Sequence, residues 1–332
     1  MKFLVVGLGS MGKRRIANLR TLNAGEIAGF DMREDRCREA RDRFGVPVFN
    51  THEDAFSFKP DALVVSTPPD RHVEYGMEAA KRRIPFFLEA SVVDDGMDEL
   101  IGLCRQENVV GVPSCTMRFH PAVRRIKRMI EEREIGKPVA FLYHLGQYLP
   151  DWHPYEDYRS FYVGNRRTGG CREMVTFELE WLLWVFGEVA TISCMKGKSS
   201  ILDADIDDVY QILLRFNDGV FGNTLVDVVS RIRYRNLKVL CQDGVALWDC
   251  FQEKTLDAYR SQEKRWHELY PAGTKPSQPV EEQIYLDEMN YFIRIARGED
   301  RPMYTLSDDK HTLGLLYTAE KSSDSALHLK TR

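Results

Sequence analysis

Phe3-Leu4-Val5-Val6-Gly7-Leu8-Gly9-Ser10-Met11-Gly12 opens the chain, and Lys13-Arg14-Arg15-Ile16-Ala17-Asn18-Leu19 follows with apolar residues at helical spacing. An apolar strand, a glycine turn and a helix start thus come in the order that a dinucleotide-binding βα unit requires. Gly7 permits the tight turn, Gly9 lets backbone approach a pyrophosphate, and Gly12 lets the helix pack close to the strand. Ser10 and Met11 complete this loop at the helix N-terminus, whose free N–H groups and positive dipole end suit phosphate. Glycines also recur in ordinary βα turns. Asp31, at the end of the apolar run Ile27-Ala28-Gly29-Phe30, tips the pattern toward a cofactor, because an acid there accepts hydrogen bonds from an adenosine ribose and repels a 2′-phosphate. NAD is expected over NADP, with Arg33 two residues later pulling the other way.

Outward from this unit, strands and helices alternate. Helical spacing covers residues 33–44 and stops at Gly45-Val46-Pro47, a short strand follows at Val48-Phe49, and Ala62-Leu63-Val64-Val65-Ser66 reads as a strand buried on both faces. It ends in Thr67-Pro68-Pro69, and Asp70 is expected to cap the next helix. Another buried strand (84–88), a helix (95–107) and the run Val109-Val110-Gly111-Val112 complete a doubly wound parallel sheet of the Rossmann type over residues 1–118. From Pro121 the pattern changes. After a basic helix (123–134), strands at 139–145, 190–196, 209–216, 220–229, 236–241 and 245–251 with turns such as Asn217-Asp218-Gly219 predict a large, mostly antiparallel open sheet. Helices at about 170–185, 280–297 and 308–325 make residues 119–332 an α+β domain for substrate binding and oligomerisation.

With 332 residues the chain has room for two cores, and 43% hydrophobic with 29% charged residues is an ordinary globular mixture. A net charge of −4 gives no global pull toward nucleic acid, and no apolar run has the length of a membrane span. Seven scattered cysteines, never spaced CxxC, point to reduced thiols in a cytoplasm and against a structural zinc site.

The opening fingerprint, Ser66-Thr67-Pro68-Pro69 with His72, Glu89 after the fifth strand, Arg118-Phe119-His120-Pro121, Gly136-Lys137-Pro138 and Gly169-Gly170 before a helix ending Phe186-Gly187 together resemble the Gfo/Idh/MocA oxidoreductases. The resemblance spans nearly the whole chain. It implies a nicotinamide cofactor held by the glycine loop, Asp31, Arg33, Thr67, Pro68, His72, Glu89 and Arg118, sugar-like or cyclitol substrates, and homodimers or homotetramers built through the open sheet. The loop Gln147 to Arg159 resembles a subgroup met in surface-polysaccharide and sugar-modification settings.

Two departures bear on chemistry. The family follows its strand-end acid with Lys-Pro, and here Glu89 is followed by Ala90-Ser91. Aligned on Phe186-Gly187, the family's acid and histidine one turn apart become Glu173 and Phe177. Hydride transfer from an alcohol needs a base for the hydroxyl proton, a contribution of about 10²- to 10⁴-fold, so other groups must supply it if the reaction is retained. Glu173, His153, Tyr148, His120 and Glu178 are the candidates. Glu173 shares a helical face with Phe177, or instead forms a buried pair with an arginine. His153 lies between Asp151 and Asp157, whose charges would raise its pKa, or belongs to a loop ordered by aromatic side chains. A metal on those three residues has no recognised ligand spacing. Arg159, Arg166, Arg167 and Arg172, with Arg118, suit a carboxylate or phosphate, which points to an acidic sugar or nucleotide sugar, while salt bridges to nearby acids are the alternative. Asp203, Asp205, Asp207 and Asp208 read as a solvated edge. The expectation is an NAD(P)-dependent oxidoreductase acting on a sugar, acidic sugar or nucleotide sugar. The alternatives are an elimination or epimerisation enzyme that recycles its hydride, and a silent binding partner of a competent relative.

Overall fold

The computed structural model describes residues 1–152, 154, 156–200, 202–270 and 280–325. In chain order the elements begin with β1 (Lys2–Val6), α1 (Ser10–Thr21), β2 (Glu26–Phe30), α2 (Glu34–Phe44), β3 (Val48–Phe49), α3 (His52–Ser57) and β4 (Ala62–Val65). There follow α4 (His72–Lys81), β5 (Phe86–Leu88), α5 (Met97–Glu107), β6 (Gly111–Pro113), α6 (Pro121–Glu131), β7 (Pro138–Tyr148) and α7 (Cys171–Phe186). The chain continues through β8 (Val189–Gly197), β9 (Val209–Phe216), β10 (Phe221–Asp227), β11 (Val229–Cys241), β12 (Gly244–Asp249), β13 (Thr255–Arg260) and β14 (Arg265–Glu268), then α8 (Val280–Ala296) and α9 (Leu306–Asp324).

Two compact units emerge, residues 1–116 with 281–311, and residues 117–280 with 312–332. Where the sequence divides the chain once, at 118/119, the units interleave. The cause lies on α8, whose Glu288 and Phe292 are fully buried and reach Arg15 and Phe87 of the first unit. The first unit carries a parallel sheet of order β3-β2-β1-β4-β5-β6. Its middle strands are apolar and fully buried over Phe3 to Val6 and Ala62 to Val65 because helices cover both faces. The order reverses between β1 and β4, so the carboxyl ends of these strands form the crevice where such sheets take a ligand. Asp70 does not cap α4. It lies in a single 3-10 turn, Pro69–Arg71, that the two prolines impose before the helix begins.

The second unit holds an eight-stranded sheet of order β14-β13-β12-β11-β7-β10-β9-β8, antiparallel throughout except for β7 beside β10. Strands β13 and β14 extend it beyond what the sequence pattern indicates, since β13 buries only Leu256 and Ala258 and β14 buries no residue. One face packs its alternate residues, such as Phe141, Ile212 and Val239, into a core with Leu179, Leu182 and Phe186 of α7. The acidic run is a finding against expectation: Asp207 and Asp208 are buried, Asp207 pairing with Arg166 and Lys196, and Asp208 accepting from Ser199 and Ser200 N–H groups. They fasten the loop before β9. No helix among the described residues is long and apolar enough to cross a membrane.

Candidate active site

The dinucleotide loop occupies the turn from β1 into α1. Gly7 has φ +87°, and a Cβ on Gly12 would lie 1.8 Å from the Gly7 carbonyl oxygen, so both are demanded by the protein's own packing. Gly9 differs. Its φ of −68° suits any residue, and a Cβ there would meet nothing nearer than the Arg36 guanidinium at 3.6 Å. That is ordinary contact with the far end of a flexible side chain, so the fold itself does not demand a glycine at this position. Helix α1 also starts with no side-chain cap and no acid in its first turn, which leaves its first N–H groups and dipole end available to an anion. Met11 accepts a long contact from Arg14, and Ser10 is exposed at the helix start.

Asp31 ends β2 with its carboxylate already oriented. Oδ2 accepts from the Leu8 N–H at 2.8 Å, inside the glycine loop, and Oδ1 from the Arg33 N–H at 2.9 Å. The Arg33 guanidinium turns to Asp35, at 2.6 Å on the exposed side. Replacing Asp31 by Asn keeps an acceptor for Leu8 while removing the charge that repels a 2′-phosphate. Asp31→Asn is therefore expected to erode the preference for NAD over NADP by about ten-fold in competitive titration, with the melting temperature little changed.

The ends of β4 and β5 carry unpaired polar atoms. Buried His72 has its pKa lowered by desolvation, and its Nε2–H donates to the Thr67 carbonyl at 2.9 Å, which leaves Nδ1 as a sealed acceptor with no partner. Thr67 Oγ1 is likewise buried and unpartnered, while Pro68 is exposed. Glu89 accepts both arms of the Arg15 fork, at 2.7 and 2.8 Å, and the Ser66 hydroxyl at 3.0 Å. Glycine loop, uncapped helix and orphaned polar atoms on the β4 side fit a dinucleotide laid across the strand ends. Arg15, Glu288 and Tyr162 were not singled out by the sequence.

In the second unit, Glu173 stands in the first turn of α7. Tyr162 Oη donates to its Oε1 at 3.1 Å, while Oε2 is sealed from solvent and has no hydrogen-bond partner among the described residues. Burial pushes the carboxyl up to about 8, with the Tyr162 hydrogen bond opposing. No arginine among the described residues pairs with it. Phe177, one turn on, offers no proton-transfer group. Farther along α7, Glu178 is fully buried and accepts from Tyr143 Oη (2.5 Å), Trp181 Nε1 (2.6 Å) and Arg235 (2.6 Å), so it fixes the helix to the sheet.

The other expected residues have defined places. His120 caps α6, its Nδ1 accepting from Ala122 N–H; desolvation and the nearby Arg235 charge lower its pKa to about 3, so it stays neutral near pH 7. Tyr148 ends β7 beneath the Arg231 guanidinium, 3.7 Å from the ring centroid. Arg118 pairs with Glu180 and stacks on Trp184. Arg159 is held by Asp157 and Asp203, Arg166 by Asp205 and Asp207, and Arg172 by Glu320, while the Arg167 N–H donates to Asn165 Oδ1. Arg118, Arg159, Arg166 and Arg172 thus form salt bridges within the protein, the alternative that the sequence left open for them. His153 lies outside the described residues. Among those described, no group of three His, Cys, Asp or Glu side chains could hold a metal ion.

Comparison with known proteins adds an independent line. Residues 1–112 match the model of an oxidoreductase family with an NAD-binding Rossmann fold, and residues 123–247 that of the GFO/IDH/MocA C-terminal domain. Myo-inositol 2-dehydrogenase of Thermotoga maritima is 25% identical over 347 residues, covering 99% of this chain and 98% of that protein. Among solved structures, levoglucosan dehydrogenase with NADH and levoglucosan superposes with TM-score 0.82 at 16% identity, covering 98% of this chain and 97% of that one. The WlbA dehydrogenase of Bordetella pertussis with NADH and UDP-GlcNAcA gives TM-score 0.80 at 17% identity, covering 99% and 98%.

Proposed function

The chain belongs to the GFO/IDH/MocA family of oxidoreductases, and from that premise we propose that it is an NAD-dependent dehydrogenase of a sugar, acidic sugar or nucleotide sugar in which Glu173 handles the hydroxyl proton. The first unit holds the dinucleotide: the N–H groups at the start of α1 take the pyrophosphate, Asp31 the adenosine ribose, and the β4 and β5 ends the nicotinamide half. Bound NAD supplies a hydride acceptor. The second unit supplies acid–base chemistry.

The observation that carries the reading is the sealed, unpartnered Oε2 of Glu173. A carboxyl pushed up to about 8 is a far stronger base than an ordinary glutamate and still ionises near neutral pH, which is what removal of a proton from an alcohol requires. Tyr162 fixes the orientation of the other oxygen. Support for the substrate class comes from the relatives, which are named as dehydrogenases of a cyclitol, an anhydrosugar and, among structures, a nucleotide-sugar complex. Incubation with NAD and a panel of cyclitols, uronates and nucleotide sugars, followed by absorbance of reduced nicotinamide, tests the reading. Turnover on one class is expected; silence across the panel despite tight NAD binding would count against it.

We extend the proposal to assembly. On the face of the large sheet away from α7, Leu213, Leu142 and Leu247 lie on one cross-strand row with Asn223 and Lys238, and Phe221 stands beside them, exposed at 56%. An apolar patch of this breadth on a flat sheet suits a second copy of the same face. Phe221→Asp is expected to weaken self-association by about 100-fold or more, read as a fall in mass by light scattering at micromolar concentration. An unchanged mass would remove this face from the assembly.

A further inference from the structure

Three charged side chains meet inside the first unit: Arg15 from α1, Glu89 after β5 and Glu288 from α8. Arg15 and Glu288 are closed off from solvent, and Glu89 keeps 13% of its side chain exposed. The Arg15 fork spans Glu89 Oε1 and Oε2, and Nη2 also donates to Glu288 at 2.8 Å. Glu288 further accepts from Ser114 Oγ, Cys115 N–H and Thr116 Oγ1 at 2.8 to 3.1 Å. Burial works against the Arg15 charge, but Glu89 and Glu288 more than offset it and raise its pKa. Two carboxylates against one guanidinium leave an excess negative charge.

Stability alone does not account for this arrangement. Burying ions is expensive, and well-packed apolar residues often replace such triads without loss. A single Arg15–Glu89 pair would already be neutral, so Glu288 adds a second buried carboxylate for no gain in pairing. The excess charge opens in one direction only, through Glu89, at the end of β5 and beside Ser66 at the end of β4. Asp31 marks the β2 end as the adenosine side, which leaves the β4 and β5 ends to the nicotinamide half.

We propose that the Glu89–Arg15–Glu288 group is an electrostatic device that makes the site bind the oxidised, cationic nicotinamide more tightly than the reduced, neutral one, with Arg15 and Glu288 acting as positioning residues through Glu89. The inference rests on the dinucleotide reading and its placement of the nicotinamide half. The negative excess attracts a positive ring and is indifferent to a neutral one, so it discriminates redox state without touching the ribose, pyrophosphate or adenine. Glu288 supplies the charge that Arg15 would otherwise cancel, and its four donors hold its carboxylate in place. By linkage, each ten-fold of preference for NAD⁺ lowers the midpoint potential of the bound couple by about 30 mV, making bound NADH the stronger reductant.

The test is equilibrium titration of the full chain with NAD⁺, NADH and ADP-ribose, which lacks the nicotinamide. Glu89→Gln and Glu288→Gln each keep an acceptor oxygen and remove one charge. Each is expected to lower the NAD⁺-to-NADH affinity ratio by about ten-fold while ADP-ribose affinity stays within about two-fold. Arg15→Lys keeps the charge count and loses the fork, so the ratio should persist while the melting temperature falls. This variant decides the matter should Glu288→Gln not fold, since a ratio that collapses in it would overturn the role of net charge. An unchanged ratio in both glutamine variants would show the triad to be only an anchor for α8. A shift confined to Glu89→Gln would reduce it to a local contact. Failure of the unsubstituted protein to bind any of the three ligands would overturn the dinucleotide reading itself, whereas normal ADP-ribose binding with an unchanged ratio would sink only this proposal.

Discussion

Glu173→Gln is expected to lower kcat by about 10²- to 10⁴-fold with little effect on NAD affinity, because glutamine keeps the size and the acceptor for Tyr162 but cannot take a proton. In the oxidative direction the base must be ionised, so wild-type kcat should rise with pH through about 8 and level above it. The variant's residual rate should lack that limb. Stability moves oppositely. A carboxyl whose folded-state pKa lies above its unfolded value of 4.5 holds its proton more tightly when folded, so the site costs nothing below about pH 4.5 and progressively destabilises the fold as pH rises toward 8. Glu173→Gln should match wild type near pH 5 in melting experiments and exceed it above pH 8 by ~1–3 kcal/mol. A variant that is both more stable and nearly inactive at alkaline pH separates a functional carboxyl from a structural one. Equal stability at all pH values, or retained turnover, would return Glu173 to the scaffold.

The second large effect distinguishes two glycines of one loop. Gly12→Ala would place a methyl 1.8 Å from a carbonyl oxygen that the β1 turn holds fixed, and the loss should be of the order of several kcal/mol, seen as a fall in melting temperature without any ligand. Gly9→Val meets no such obstacle, since the backbone conformation is ordinary and its Cβ would meet nothing nearer than the flexible Arg36 guanidinium at 3.6 Å. It should melt like wild type and lose NAD affinity by about 100-fold, because the side chain fills the approach to the helix N-terminus. Comparable losses of stability in both variants would mean that Gly9 too serves the fold.

How far the sequence could reach follows from the physics of each signal. The parallel sheet was legible because its strands are buried on both faces and punctuated by Gly, Pro and Asp, and the glycine loop because Gly7 and Gly12 answer local requirements of turn and packing. Strands β13 and β14 were obscured because one buries only Leu256 and Ala258 and the other nothing, too little apolar signal to mark a strand. The interleaving of the units was not legible, since it depends on where α8 packs. Its trace in the sequence is that Glu288 falls on the same stripe as Ile284 and Phe292, and Arg15 on the stripe of Gly12 and Leu19. Opposite charges on two apolar stripes announce a buried pair, but spacing alone cannot say which stripes meet. Glu173 stood out through its position opposite a missing histidine; its sealed oxygen and Tyr162 needed three dimensions. The arginines left two readings open, because guanidinium forks suit a substrate carboxylate and a protein carboxylate equally, and Asp203, Asp205, Asp207 and Glu320 lie too far along the chain for spacing to pair them.

Net hydride transfer from a sugar hydroxyl to NAD is the reaction proposed for this chain despite Ala90 and Phe177. It is tested most directly by single-turnover stoichiometry on a substrate found in the panel, with reduced nicotinamide and oxidised sugar quantified together and no other oxidant present. Equimolar NADH and carbonyl product is the predicted result. Product formed without accumulation of NADH would contradict it and assign the chain to chemistry that returns its hydride within each cycle.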